Sequence, residues 1–333
     1  MRIGDTEIGA PPLLVAEIGN NHEGDPGVAR ELVEAAADAG AGAVKTQVFR
    51  TEGLVRRRDA ARFAQLEGYR LPDEVHVELA ELARARGLLF LSTPLDLVSA
   101  ASLEPLVDAF KIASGDNDFL PLLDAVGVTG KPVVFSSGLS DLEGVRATCA
   151  RLESAGTPAA EIAVLHCVTA YPIALERANL AAITGLSEGV DCLVGYSDHT
   201  LGVVASVAAA ALGAVIVEKH FTLRHDFSDF RDHQLSADPP ELRRLAEALV
   251  ATPGMLGEPT KQVLEEERAL MEPVRRSIAA ARDLPAGHTV ALEDLTWLRP
   301  RDGLEPGREA ELVGRTLGRA VGGGESILLE DLA

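Results

Sequence analysis

Eight short apolar runs punctuate the first two thirds of the chain. They read LLVAEI (13–18), AVKTQVF (43–49), LLFLST (88–93), AFKIAS (109–114), PVVFSS (132–137), IAVLHC (162–167), DCLVGYS (191–197) and AVIVEKH (214–220). Runs this rich in Val, Ile and Leu predict parallel strands buried on both faces. Between them lie amphipathic stretches with helix punctuation. Residues 25–40 open on Asp25 as a cap, carry Pro26 in the first turn and close on Gly40, and 71–87 close on Gly87. Residues 140–156 run from a Ser140 cap to Gly156, and 200–213 and 238–252 complete the set. Strand–helix alternation repeated eight times predicts an α/β fold, a closed (β/α)8 barrel. An open doubly wound sheet is the rival, and the lack of a GxGxxG after the first strand counts against it.

Beyond residue 255 the pattern changes. Residues 1–258 are expected to form the barrel, 259–276 a charged linker, and 277–333 a small β-rich module. In the module, LPAGHTV and GGGESIL look like two turn-then-strand units. A module of about 57 residues is marginal alone, so it is expected to dock on the barrel or on another subunit.

Composition narrows the function classes. A net charge of −20 repels nucleic acid and anionic membrane, which removes both as partners, and any anion must meet a local basic pocket. At 4% aromatic content a base-stacking surface is disfavoured. No window holds the roughly 18 uninterrupted apolar residues of a membrane span, and the N-terminus lacks the design of a secretory signal. Three cysteines without a CxxC pair point to reduced thiols and a cytoplasmic protein.

In such a barrel chemistry sits where strands end. Those ends carry Glu17, Lys45 with Gln47, Ser92 with Thr93, Lys111 with Ser114, Ser136 with Ser137, His166 with Thr169 and Tyr171, Ser197 with Asp198 and His199, and Glu218 with His220. A buried lysine without a partner costs several kcal/mol. Two of them among hydroxyls point to a phosphate or carboxylate ligand in the barrel mouth. A salt bridge to Glu17 or Glu218 is the other reading of each lysine. His199 and His220 end adjacent strands and can point at one place, where two neutral imidazoles suit Mn²⁺, Zn²⁺ or a related divalent ion. A hydrogen-bonded core imidazole is the alternative for each. His22, His225 and His233 fall in loops, as spare ligands or solvated side chains.

The segments AEIGNNHEGD, VKTQVF, STPLD, KIASGD, SSGLS, HCVTAYP, GYSDHT and EKHFTL, in this order along nearly the whole chain, resemble the sialic acid synthase (N-acetylneuraminate synthase) family. The C-terminal segment resembles that family's antifreeze-like (SAF) domain. The resemblance implies a TIM barrel followed by a SAF domain. It implies a transferase that joins phosphoenolpyruvate to an N-acetylmannosamine-type aldose, giving a sialic-acid-like 2-keto sugar acid and phosphate. It further implies a divalent metal, Mn²⁺ ahead of Mg²⁺ or Co²⁺, and a domain-swapped homodimer in which one chain's small module reaches over the other's barrel.

Residue roles follow from the same resemblance. His199 and His220 match metal ligands. Lys45, Thr93, Lys111, Ser114, Ser136, Tyr171 and Ser197 match positions around phosphoenolpyruvate. Glu17 matches the carboxylate at the sugar's reacting end, and Gln47 and Glu218 match polar positions of the same mouth. Asp232 matches the aspartate that holds sugar hydroxyls, and Arg299 the arginine that meets the sugar's acyl group. Departures cluster on the sugar side: Thr169, the loop RHDFSDFRDHQLS (224–236), Arg301 in RPRDG, and a short arginine-rich loop at 50–69. The acceptor therefore stays open between N-acetylmannosamine, a phosphorylated form of it, a 2,4-diacetamido sugar and another aldose. Arg56, Arg57 and Arg58 suit a phosphorylated acceptor, or simply form a solvated basic loop. A metal-dependent keto-acid aldolase or lyase, and a non-catalytic binding protein, are the rival functions.

Overall fold

The computed structural model describes residues 1–333 and divides them into two compact units, Met1–Gly257 and Glu258–Ala333. The first opens on a hairpin of β1 (Arg2–Ile3) and β2 (Thr6–Glu7). Eight parallel strands follow: β3 (Leu13–Gly19), β4 (Ala43–Val48), β5 (Leu89–Pro94), β6 (Ala109–Ile112), β7 (Val133–Ser136), β8 (Ile162–Cys167), β9 (Leu193–Asp198) and β10 (Ile216–His220). They close into a barrel in which β10 pairs with β3, placing Ile216 beside Leu13 and His220 beside Glu17. The predicted strand runs coincide with these staves to within two residues at either end.

Successive side chains on a strand point to opposite faces, so each stave serves two environments. Its outward residues, such as Ala16, Val44, Phe90, Phe110, Phe135 and Val217, pack under the helices. Its inward residues change character along the stave. Leu13, Val15, Ala43, Leu91, Ala109, Val134, Ala163, Leu165 and Ile216 fill the lower interior, which Ile3 and Ile8 of the opening hairpin help to close. The next inward residues are Glu17, Lys45, Thr93, Lys111, Ser136, Cys167 and Glu218. Gly195 is inward and must be glycine, because a Cβ there would lie 2.5 Å from both Ile216 O and Leu165 Cδ2. The barrel thus has an apolar plug below and a polar mouth above.

The helices Pro26–Asp38, Asp73–Ala85, Leu142–Ala155, Val204–Ala211 and Pro239–Leu256 lie where periodicity predicts them. Asp25 accepts from Gly27 N at 2.6 Å and Val28 N at 3.2 Å, a cap worth about 1 kcal/mol. The Leu142–Ala155 helix is capped by Asp141, not Ser140. Three further crossover helices, Leu97–Leu103, Leu120–Gly127 and Ala182–Gly189, were not anticipated. Each spans about two turns, too few for a polar–apolar period to stand out. The segment after β4, expected as a loop, forms the helices Thr51–Leu54 and Ala60–Tyr69. No helix is long and apolar enough to cross a membrane.

In the second unit, residues 258–276 contribute two single-turn helices and are almost wholly exposed. A separate core follows, built on Ile278, Leu284, Val290, Leu312, Leu317, Val321 and Ile327. Its sheet pairs β11 (Ser277–Ala280) with β12 (Leu295–Leu298). The two turn-then-strand units form an internal repeat with equivalent aspartates. Asp294 accepts from Ala291 N at 3.0 Å and Asp331 from Leu328 N at 2.8 Å, and each also binds an arginine, Arg282 and Arg319 respectively.

Candidate active site

Thirteen of the fourteen residues given roles by the family resemblance line one cavity at the mouth of the barrel: Glu17, Lys45, Gln47, Thr93, Lys111, Ser114, Ser136, Tyr171, Ser197, His199, Glu218, His220 and Asp232. The fourteenth, Arg299, is exposed in the second unit, just after β12.

Two ammonium groups share the cavity floor with two carboxylates. Lys45 forms an ion pair with Glu17, donates to Thr93 Oγ1 at 3.3 Å and stands 3.8 Å from Glu218 Oε2. Lys111 donates to Ser136 Oγ at 2.7 Å and Ile112 O at 3.1 Å, and is also 3.8 Å from Glu218 Oε2. Gln47 donates to Glu17 Oε1 at 2.8 Å, and Ser197 to Glu218 Oε1 at 3.0 Å. The salt-bridge alternative for the lysines is therefore realised in part. Glu218 Oε2 receives no hydrogen bond, and each ammonium stands 3.8 Å from it, beyond hydrogen-bonding range.

Burial sets the protonation tendencies. It pushes the Glu17 carboxyl up, against the Lys45 ammonium and with help from Glu218. It pushes Lys111 down, which the carboxylate of Glu218 only partly offsets. Burial also opposes charge on Glu218, but Lys111, Lys45 and the Ser197 hydroxyl outweigh it and hold this carboxyl below its ordinary range. Burial thus works against charge on Glu17 and Lys111, while the partners of Glu218 favour its charged form.

His199 and His220 face one another with ring centroids 5.3 Å apart, and Tyr171 lies 4.0 Å from the His199 ring and 6.0 Å from the His220 ring. His199 Nδ1 bonds Val168 O at 2.9 Å, which leaves its Nε2 free. Burial, and then the positive charge of the groups around it, hold His220 well below its ordinary pKa, so that ring is neutral and has a lone pair to give. Two imidazoles so placed, in a polar cavity, fit a divalent first-row ion.

The hydroxyls of Ser114, which lines the cavity, and Thr169 both come close to Gly138. A Cβ on Gly138 would lie 2.1 Å from Thr169 Oγ1 and 2.6 Å from Ser114 Oγ, so glycine permits their approach. Thr169 Oγ1 is buried without a partner.

Other polar strand-end residues face away from the mouth. His166 bonds Ala178 O at 2.9 Å, Ser92 accepts from Thr46 Oγ1 at 2.8 Å, and Ser137 donates to Leu165 O at 3.0 Å. Asp198 is buried with Lys219 behind the staves. Alternation explains all four, since each neighbours an inward residue. The loop histidines are not spare ligands of the cavity, and His22 and His233 are buried, not solvated. His233 bridges Thr222 Oγ1 at 2.6 Å and Glu23 Oε1 at 3.0 Å. His225 stands 3.8 Å from Asp238 and 3.2 Å from Glu241, which already cap the helix Pro239–Leu256.

Lining residues that sequence reasoning missed include Asn20, Cys167, Arg62, Leu66, Tyr69, Phe230 and Arg231. Cys167 carried a legible signal, being the inward end of β8. Leu66 and Tyr69 did not, because their helix was not foreseen. Tyr69 and Phe230 pair at 5.1 Å to form an aromatic wall, and the Arg231 guanidinium lies 5.0 Å from the Tyr171 ring centre. Arg56, Arg57 and Arg58 are exposed and line no part of the cavity.

Comparison with known proteins gives a consistent result. Residues 32–261 match the NeuB family and residues 275–333 the SAF domain. The chain is 40% identical to an uncharacterized protein of Methanocaldococcus jannaschii, over 92% of this chain and 90% of the other. It is 33% identical to N,N'-diacetyllegionaminic acid synthase of Legionella pneumophila, over 96% of this chain and 94% of that one. The crystal structure of N-acetylneuraminic acid (sialic acid) synthetase from Leptospira borgpetersenii, in complex with citrate, superposes with a TM-score of 0.75 at 29% identity, covering 81% of this chain and 94% of that one.

Proposed function

The chain belongs to the NeuB family, and from that premise we propose that it joins phosphoenolpyruvate to the open-chain form of an N-acetylated aldose, releasing a 2-keto sugar acid and inorganic phosphate. The observation that carries the reading is the pair of buried ammoniums, Lys45 and Lys111, in one cavity with the imidazoles of His199 and His220. Phosphoenolpyruvate brings a phosphate and a carboxylate on one small carbon frame. Two ammoniums neutralise them, and the hydroxyls of Thr93, Ser114, Ser136, Tyr171 and Ser197 orient them.

His199 and His220 would hold the divalent ion, Mn²⁺ in this reading, which when bound supplies Lewis-acid polarisation of the aldehyde oxygen. The enol carbon of phosphoenolpyruvate attacks the aldehyde carbon and forms the new C–C bond. Cationic character then develops at the carbon bearing the phosphate ester. Water adds there and loses a proton, and the C–O bond to phosphate breaks. Glu17 is the group assigned to move a proton at the aldehyde oxygen or at that water. A carboxyl pushed up by burial suits this role, since a general acid–base works best with a pKa close to the working pH. Glu218 keeps Lys45, Lys111 and Ser197 in position.

Asp232 is assigned to the sugar hydroxyls, and the wall of Leu66, Tyr69 and Phe230 to an acyl methyl group. An N-acetylmannosamine-type or 2,4-diacetamido aldose fits this wall, and the exposed Arg56–Arg58 give no support to a phosphorylated one. Arg299 is assigned to the sugar's acyl oxygen, delivered by a second copy of the chain in a homodimer. Three free cysteines fit a cytoplasmic enzyme.

The test is release of phosphate from phosphoenolpyruvate with Mn²⁺ and a panel of N-acetylated aldoses, with the product identified by mass. Silence across the whole panel removes the proposal. Phosphoenolpyruvate that fails to bind at all favours a keto-acid lyase on the same barrel.

A further inference from the structure

Directly behind the two histidines lies a second charged pair, which the proposed chemistry does not use. The parallel ladder sets Lys219 of β10 opposite Asp198 of β9. Both point outward from the barrel, and both side chains are 0% exposed. Lys219 Nζ lies 3.2 Å from Asp198 Oδ2 and donates to Thr200 O at 2.5 Å. Asp198 Oδ1 accepts from Thr200 N at 2.7 Å and Tyr196 OH at 3.3 Å, while Oδ2 accepts from Ser206 Oγ at 2.7 Å. His220 is the next residue of β10, and His199 follows Asp198 just past the end of β9.

A fully buried ion pair is weak evidence for stability, because well-packed apolar residues of similar volume often do as well. What the pair does fix is geometry. It ties the end of β9 to the end of β10, gathers both backbone groups of Thr200, and anchors the turn to Ser206 in the helix Val204–Ala211. The imidazoles sit one residue further on, on the opposite face. Sliding or splaying either strand end would change the 5.3 Å spacing between the rings.

We propose that the Lys219–Asp198 pair, through its hold on Thr200 and Ser206, is a positioning device that sets His199 and His220 at the spacing needed to share one divalent ion. The inference rests on the assignment of those two histidines as ligands.

The experiment compares the full-length protein with an Asp198→Leu/Lys219→Met double variant of similar side-chain volume. Three quantities are read: Tm, the Kd for Mn²⁺ alone from the signal of free Mn²⁺, and the Kd for phosphoenolpyruvate without metal. Groups that orient metal ligands are typically worth 10–100-fold in metal affinity. The expected result is a Tm within a few degrees of wild type, a Mn²⁺ Kd weakened about 10–100-fold, and an unchanged phosphoenolpyruvate Kd. Unchanged Mn²⁺ affinity in the folded double variant overturns the positioning role and leaves the ligand assignment standing. Equal loss for Mn²⁺ and phosphoenolpyruvate overturns it too, as general loosening of the barrel. A wild-type protein that takes up no Mn²⁺ overturns both inferences. If the double variant does not fold, Ser206→Ala, which removes one bond to Asp198 and leaves the charges paired, decides the question: selective Mn²⁺ weakening supports the role and unchanged Mn²⁺ affinity ends it.

Discussion

The ammonium of Lys111 and the carboxylate of Glu218 face each other at 3.8 Å without a hydrogen bond, and the ammonium's closest contact is instead the Ser136 hydroxyl. Of the three N–H groups of this ammonium, Ser136 Oγ and Ile112 O take two, and one is left for an incoming anion. A charge-assisted hydrogen bond contributes about 1.5–3 kcal/mol. Lys111→Met should therefore raise the Kd for phosphoenolpyruvate about 10–100-fold, leave the sugar KM nearly unchanged and keep the protein folded. Calorimetric titration of phosphoenolpyruvate checks this, and wild-type affinity in the folded variant contradicts it.

Phosphoenolpyruvate binding should take up protons. Burial drives Lys111 down and Glu17 up, working against charge on both in the free protein. A bound anion stabilises the ammonium and opposes the carboxylate, which raises both pKa values. Each shift adds bound proton, and affinity should fall as pH rises through the pKa of free Lys111. Calorimetry in buffers of different ionisation enthalpy gives the proton count. Proton release on binding would contradict the assignment of these two groups.

The barrel was legible because buried parallel strands announce themselves as apolar runs, and because caps such as Asp25 and closing glycines such as Gly40 mark helix ends. The floor of the cavity was legible for the same reason. Lys45, Lys111, Glu218 and His220 interrupt apolar runs at strand ends, where a packed interior has no use for them. Period-two alternation, applied strictly, would also have set His166 and Asp198 aside as outward residues. Lys219 is different. It stands between two site residues in GluLysHis, and only the closed ladder reveals that its partner is Asp198. The wall of Leu66 and Tyr69 was not legible, since both belong to a helix hidden in an arginine-rich segment.

His220→Ala should lose metal and turnover together. The ring is neutral and faces His199 across 5.3 Å, so one imidazole remains where two are needed. Bound Mn²⁺ measured after dialysis should drop below a tenth of the wild-type content, with phosphoenolpyruvate binding retained. Full turnover in a chelator-treated variant would contradict the ligand role.

The second unit should carry its own acid transition. The His288 hydrogen bond at 2.6 Å, the Ala291 N–H and Arg282 hold the Asp294 carboxyl down at about 2. A folded pKa below the ordinary 3.8 means that the stabilisation is complete above 3.8 and is lost as pH falls toward 2. Asp294→Asn should flatten that slope and lower the unit's Tm at neutral pH by about 5 °C or more. Thermal melts of the full chain across acid pH measure both, and an unchanged slope would show that Asp294 does not govern it.

Arg299 is exposed on the second unit. Arg299→Ala should raise the sugar KM and spare both metal and phosphoenolpyruvate binding. The informative experiment mixes it with His220→Ala and allows the subunits to exchange. A module delivered to the neighbouring barrel gives each mixed dimer one complete site, built from the His220 barrel of one chain and the Arg299 module of the other. Random exchange makes half the dimers mixed with one working site in each, so about a quarter of wild-type turnover should return at low sugar concentration. A module that serves its own barrel leaves every site short of one group, and mixing then restores nothing.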